Sequence, residues 1–216
     1  MSNSPRFIHL RVHTEYSLLE GAVRLKSLPT LCQAAEMPAV AITDTNNMFA
    51  ALEFSVSASA AGIQPIMGCQ VDLNFLPAQP GERHTDPAPL VLLAQSEAGY
   101  EHLMKLNSCL YLGKQGLRPQ ITLDELQSHS ADLICLTGGP NGPVGRLLQA
   151  NQRDAAEALL TRLAGMFPNR LYVELQRHPG EDGQPEAERM TDSISPTSMS
   201  ATGASKMTAC PWSIRS

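Results

Sequence analysis

Residues 7–17 read FIHLRVHTEYS, an apolar run that enters a histidine-bearing turn. The alternation predicts a strand from Phe7 to about His13, with successive side chains on opposite faces. His9, Arg11 and His13 then share a face. Two imidazoles two residues apart can reach one ion, so His-x-His at a strand end is a common opening of a metal site. Arg11 stands between the histidines, and its guanidinium is permanently charged with no lone pair to give. The stretch keeps the scaffold of a metal site and fills it with a different group.

Working outward, strand-like runs alternate with helical patterns. A helix is expected over about 23–36, with Leu25, Leu28, Leu31 and Cys32 on one face. Ser17 and Glu20 have capping-box spacing ahead of it, weakened by Gly21. The run 39–43, AVAIT, is a short buried-type strand that ends at Asp44, and 47–61 reads as a second helix with Gly62 as its stop. Strands over 63–67 and 71–75 are expected to bend at Gly68. Residues 76–88 are rich in Pro, Gly and charge and read as a surface loop. Strands over 90–94, 133–136 and 171–176 come next, with helices over 96–112, 123–127 and 144–166, the last broken near Asn151. Repeated β then α at this spacing argues for a parallel sheet covered by helices. Periodicity does not decide whether that sheet closes into a barrel.

The chain has 216 residues, 43% of them hydrophobic, enough for one sizeable domain with a core. The net charge is −5 and no block of Lys or Arg occurs, so the segment is a poor candidate for holding nucleic acid by itself. Cys32, Cys69, Cys109, Cys135 and Cys210 are scattered without a CxxC, and four of them lie in apolar runs. That is the pattern of buried reduced thiols and suits a reducing cytoplasm. The N-terminus carries no signal pattern, and no apolar run approaches membrane length. From Met190 to Ser216, 11 of 27 residues are Ser or Thr and large apolar residues are sparse. Such a segment lacks the apolar surface to offset chain entropy. A domain over 1–189 and a disordered tail over 190–216 are expected, the tail resembling out-of-frame translation.

In parallel α/β architectures, sites collect where strands end. His13 lies at the first strand end, Asp44 at the second and Gln70 near the third. Gly139 lies three residues past LICL, and His178 two past LYVELQ. Each of these residues alone is also the type that caps a turn or satisfies a local hydrogen bond. His84, His102 and His129 lie in loop or helix-surface contexts and are expected to have no role. Residues 137–142, TGGPNG, are Gly-rich after a strand and could offer amides to a phosphate. They lack the Walker Lys-Ser/Thr and the GxGxxG spacing, which favours a tight turn. No Ser or Cys sits in a nucleophile motif.

Several motifs carry a family resemblance. HLRVHTEYSLLEG (9–21), AITD (41–44) followed by NMF (47–49), and GIQPIMG (62–68) resemble the opening of bacterial DNA polymerase III alpha subunits, the PHP (polymerase and histidinol phosphatase) domain. LVLLA (90–94), Gly99-Tyr100, LTGG (136–139) and ELQRH (174–178) continue the likeness in the family's order. The resemblance implies a distorted seven-stranded β/α, TIM-like barrel, here incomplete. It also implies a cluster of divalent metals, zinc or manganese, at the strand ends of members that hydrolyse phosphoesters. Set beside that pattern, the chain keeps His13, Asp44 and His178. Arg11 stands in place of the other opening histidine and Thr45 in place of the histidine after the Asp. Gln70 replaces a glutamate, Pro89 a histidine, and Gly139 a histidine or cysteine. The remaining ligands of the family come after one more strand that this chain is expected to lack.

The resemblance therefore implies a vestigial metal site with no cofactor and no catalytic residues. The implied role is structural, as a truncated module of the replicative polymerase that docks the proofreading exonuclease subunit and the rest of the polymerase III core. DNA would be reached only through the full-length parent, whose polymerase active site lies beyond residue 216; no membrane partner is implied. A residual metal-dependent phosphoesterase or pyrophosphatase is the alternative, and a pseudogene product with no function of its own is the third reading. One pairing is expected from the residues: the Arg11 guanidinium takes the cation's place and pairs with the Asp44 carboxylate at the adjacent strand end.

Overall fold

A computed structural model describes residues 7–76, 86–112 and 118–175. The element order is β1 (Ala39–Ile42), β2 (Gln64–Asn74), β3 (Ala88–Ala94), β4 (Ile121–Thr122), β5 (Leu133–Leu136) and β6 (Leu171–Tyr172). Six helices intervene: α1 (Leu28–Ala34) and α2 (Ala51–Ala60) flank β1, and α3 (Glu97–Cys109) precedes β4. The others are α4 (Leu123–Ser128), α5 (Pro143–Gln149) and α6 (Arg153–Met166). The tail over 190–216, its boundary at 189, His84 and His178 lie outside the described residues.

The strands form one six-stranded sheet in the order β1-β2-β3-β5-β6, with β4 added beside β2. The α/β reading holds, but the sheet is mixed: β3 runs antiparallel to both β2 and β5, while the other ladders are parallel. The cause is local. The sequence over 76–88 carries no helical pattern, and strands joined without a crossover helix run antiparallel. The two strands expected over 63–67 and 71–75 are one continuous strand, β2, of 11 residues. Its first half pairs with β1, and its second half passes to β3 and β4. Gly68 serves close approach. A Cβ there would lie 2.8 Å from the Leu92 carbonyl oxygen and 2.6 Å from Leu93 Cδ2.

Period-two alternation sorts the core into layers. Leu90 and Leu92 of β3, with Leu133 and Cys135 of β5, pack under α3, α4, α5 and α6. Val91, Leu93 and Leu136 face the other way, where they join Ala41, Leu10, Ile66 and Ile134 on the concave side. Val40 and Ile42 pack against α1 and α2, with Leu25, Cys32 and Phe54. The helices sit outside and the inner face is apolar, as in a barrel wall.

The segment 7–13 borders β1 but is not a regular strand. Ala41 N–H donates to the His9 carbonyl and Thr43 N–H to the Val12 carbonyl, both at 2.8 Å. Two residues on β1 thus oppose three on the partner, a bulge that breaks the alternation between His9 and Val12. Regular strand alternation therefore does not hold across the segment, yet His9, Arg11 and His13 all line one cleft. His9 meets the Phe7 ring edge-on at 4.4 Å. Among the described residues no ladder joins this segment to β6. Between them lies an apolar cleft of about 900 Å³ lined by Leu10, Ile66, Leu93, Ile134, Leu136 and Val173.

Candidate functional site

A polar pocket of about 470 Å³ opens at the strand ends, lined by Arg11, His13, Glu20, Thr45, Gln70, Asp72 and Pro89 with Asp86, Arg118, Asn141 and Arg146. Arg11, His13 and Glu20 also line the apolar cleft, so they form the boundary between polar mouth and greasy interior. The fold thus brings together five positions expected from sequence: Arg11, His13, Thr45, Gln70 and Pro89. Pro89 arrives there because β3 is reversed, which places its start at this end, opposite Asp72 of β2. Gly139 comes after Gly138 in the turn beyond β5, both with positive φ. A Cβ on Gly138 would lie 2.1 Å from the Pro89 carbonyl oxygen. The Gly-rich run 137–142 is thus the tight turn read from sequence.

The expected pairing of Arg11 with Asp44 is not found. Asp44 is 2% exposed and its two oxygens already hold three donors. Oδ1 accepts from the Thr14 N–H and the Ser17 hydroxyl, each at 2.6 Å, and Oδ2 from the Thr14 hydroxyl at 2.7 Å. The carboxylate is saturated by the turn it anchors, so the guanidinium goes elsewhere. Arg11 Nη1 donates to Glu174 Oε1 at 2.7 Å, and Nη2 to Gln70 Oε1 at 2.6 Å. One side chain therefore ties the first segment to β2 and to the stretch after β6. Glu174 is itself placed by its N–H, which donates to the Thr137 hydroxyl at 3.1 Å.

The network continues beyond Arg11. The Gln70 amide donates to the Thr45 hydroxyl at 3.3 Å, and that hydroxyl donates to Glu20 Oε2 at 2.5 Å. Glu20 Oε2 also lies 3.3 Å from His13 Nδ1. The spacing of Ser17 and Glu20 is thus no helix cap; Ser17 binds Asp44 and accepts from the Thr45 N–H at 3.0 Å. At the far rim, Asn46 and Asp72 bond twice, side-chain amide to carboxylate and backbone N–H to side-chain oxygen, both at 2.9 Å. Burial pushes the Asp72 carboxyl up, against the Asn46 hydrogen bond, which pulls it down. Cys69 behind Asp44 is buried, and burial pushes its thiol up to about 12, so it is an inert packing group.

Sequence reasoning missed Glu174, Glu20 and Asp72 as members of this site. A signal existed for Glu174, an acid within the mostly apolar strand expected over 171–176; none tied it to Arg11. As a metal centre the donor set fits poorly. Among the described residues no group of three His, Cys, Asp or Glu stands close enough to hold an ion. Asp44 is committed to hydroxyl and amide donors, and a guanidinium sits between Gln70 and Glu174.

A mixed β/α sheet with its polar site at the strand ends defines the class: a PHP domain family model matches residues 9–178, and the chain belongs to that family. Within it, the chain is similar to DNA polymerase III alpha subunits and to an error-prone DNA polymerase. It is 43% identical over 173 residues to DNA polymerase III subunit alpha of Caulobacter vibrioides, covering 80% of this chain and 15% of that protein. It is 37% identical over 194 residues to the same subunit of Borreliella burgdorferi, covering 88% and 17%. An error-prone DNA polymerase of Symbiobacterium thermophilum is 35% identical over 193 residues, covering 81% and 17%. The chain thus spans 15–17% of the length of these relatives. Among solved structures, a Bifidobacterium adolescentis protein described as a candidate metal-dependent phosphoesterase superposes with a TM-score of 0.52 at 11% identity, covering 86% of this chain and 81% of that one. That likeness shows the fold.

Proposed function

We propose that the chain is the PHP module of a DNA polymerase III alpha-type replicative subunit, and that it acts through protein contacts instead of hydrolysis. The observation that carries this reading is Arg11, whose guanidinium is bound by Glu174 and Gln70 where the strand ends converge. A hydrolytic metal centre needs a multidentate anionic pocket to bring a bound water to a useful pKa. Here a fixed positive charge consumes the acceptors that such a pocket would use. Arg11, His13, Asp44, Thr45, Gln70, Pro89, Gly139 and His178 are, on this reading, positions of a vestigial metal site. The module serves the polymerase core in the cytoplasm and docks the proofreading exonuclease subunit.

The test is metal analysis of the purified chain after exposure to zinc and manganese, together with a phosphoesterase assay. The expected result is no stoichiometric metal and no hydrolysis that depends on His13. Stoichiometric metal with activity abolished by His13→Ala would overturn the reading in favour of a phosphoesterase. Retention of the exonuclease subunit on the immobilised chain tests the docking role separately.

A further inference from the structure

His102 and His129 line neither the polar pocket nor the apolar cleft. They are far apart in the chain and lack the close spacing of a sequence-encoded ligand pair. The fold brings them together. His102 is on α3, His129 caps the C-terminal end of α4, and their ring centroids are 6.0 Å apart. Both residues are half-buried. The corner that carries them is fixed by its backbone. The N-terminal turn of α3 approaches the turn after α4 so closely that a Cβ on Gly99 would lie 2.1 Å from the Asp132 carbonyl oxygen. That carbonyl also accepts from the Gln95 N–H at 3.0 Å. Arg170 Nη1 closes the same turn from below, donating to the carbonyls of Ser130 at 2.9 Å and Leu133 at 2.6 Å.

The two rings are prepared differently for the same task. His102 Nδ1 lies 2.8 Å from the Ala131 carbonyl oxygen. A carbonyl only accepts, so Nδ1 carries the proton and the neutral ring keeps its lone pair on Nε2. A hydrogen bond from one ring nitrogen to a backbone carbonyl is the usual support of a histidine that ligates through the other. Burial pulls the His129 imidazole below its ordinary value; His102 and Lys105 act in the same direction, and Glu125 in the opposite one. That ring is therefore neutral at pH 7 and has a lone pair to give. An ion held at about 2.0–2.1 Å by one nitrogen of each ring sets the centroids roughly 5–6 Å apart, and the observed separation is 6.0 Å. We infer that His102 and His129 form a two-imidazole site for a divalent transition-metal ion of the kind imidazole prefers, copper, nickel or zinc, with water in the remaining positions. Among the described residues no third His, Cys, Asp or Glu joins the pair. The site is accordingly labile: it loads in equilibrium with free ion and empties on buffer exchange, unlike a stoichiometric hydrolytic centre. It is separate from the strand-end mouth and independent of the function proposed above. The ion ties α3 to the end of α4.

The test titrates the untagged full chain with Ni²⁺ by calorimetry, with Mg²⁺ as the oxygen-preferring control. Ni²⁺ is expected to bind at one site that weakens at least tenfold in His102→Gln and in His129→Gln and is unchanged in His13→Ala, while Mg²⁺ gives no binding. Equal binding by the parent and both Gln variants overturns the inference, and so does the absence of Ni²⁺ binding to the parent. Binding lost in His13→Ala and kept in both Gln variants places the ion at the strand-end mouth and overturns it too. Amide exchange on the unsubstituted chain covers the case in which a variant does not fold. Ni²⁺ is expected to slow exchange in residues 100–106 of α3 and in residues 126–133 together, because the ion joins them. Equal exchange in both segments with and without Ni²⁺ overturns the inference.

Discussion

Asp44 shows how little of a residue's role lies in its own identity. Its position after β1 was legible, because a carboxylate at a strand end has few uses. Its partners were not, because the donors that saturate it come from 27 and 30 residues away in a turn with its own geometry. Asp44→Ala would leave an amide and two hydroxyls buried without an acceptor, a loss of about 3 kcal/mol; urea unfolding measures it. Arg11 shows the reverse. That it could not bind a metal was legible from charge alone, but Glu174, 163 residues on, needed the fold to bring it in. A double-mutant cycle of Arg11→Ala with Glu174→Gln is expected to show coupling of about 1 kcal/mol, as both side chains are more than three-quarters shielded. Asp72 supplies a pH test. Its carboxyl is raised by burial, so the folded state keeps its proton to higher pH than the unfolded state does. Stability therefore rises as pH falls through that interval. Asp72→Asn should be more stable than the parent at neutral pH, and the advantage should vanish in acid, measured by denaturation midpoints at pH 7 and pH 4.

At the scale of elements, types were legible and directions were not. Apart from the bulged segment 7–13, the expected helices and strands are present in outline, because apolar periodicity reports which face a segment buries. The reversal of β3 was readable in principle, since the sequence between it and β2 carries no helical pattern, but periodicity carries no sign of strand direction. The two-residue β4 escaped notice because it is too short for any alternation. The start of α4 directly after it is well specified: Thr122 accepts from the Glu125 N–H at 3.2 Å and Glu125 accepts from the Thr122 N–H at 2.7 Å, a complete capping box. Thr122→Ala is expected to cost about 1 kcal/mol, read from the shift in urea midpoint. Gly68 is the sharper case. A glycine between two apolar runs reads as a bend between two strands, yet β2 is continuous through it, its partner changing there from β1 to β3, and the missing side chain admits the β3 backbone. Gly68→Ala should cost about 2 kcal/mol by forcing β2 from β3, seen as lost amide protection in residues 68–73 and 88–93.

For the molecule as a whole, the described sheet is a wall with two ends. The segment 7–13 lies beyond β1, β6 lies at the other extreme, and the apolar cleft separates them. Backbone ladders hold each end to its neighbour, but the link between the ends is made by side chains, through Arg11 and Glu174 at 2.7 Å. A shielded guanidinium–carboxylate pair here does geometrically what an ion shared by several strand ends would do: it fixes their spacing at the mouth. Removing it should therefore act on the cleft and not on the helical layer, where α3 to α6 have their own core. Arg11→Ala is expected to raise binding of an apolar fluorescent dye and to speed amide exchange in residues 9–14 and 171–175, while amides of α3 and α6 keep their protection. Restoring the positive charge with Arg11→Lys should recover only part of the effect, because an ammonium lacks the planar fork that reaches Glu174 and Gln70 together. Unchanged exchange at both ends of the sheet in Arg11→Ala would mean that the cleft is held shut by its apolar walls alone.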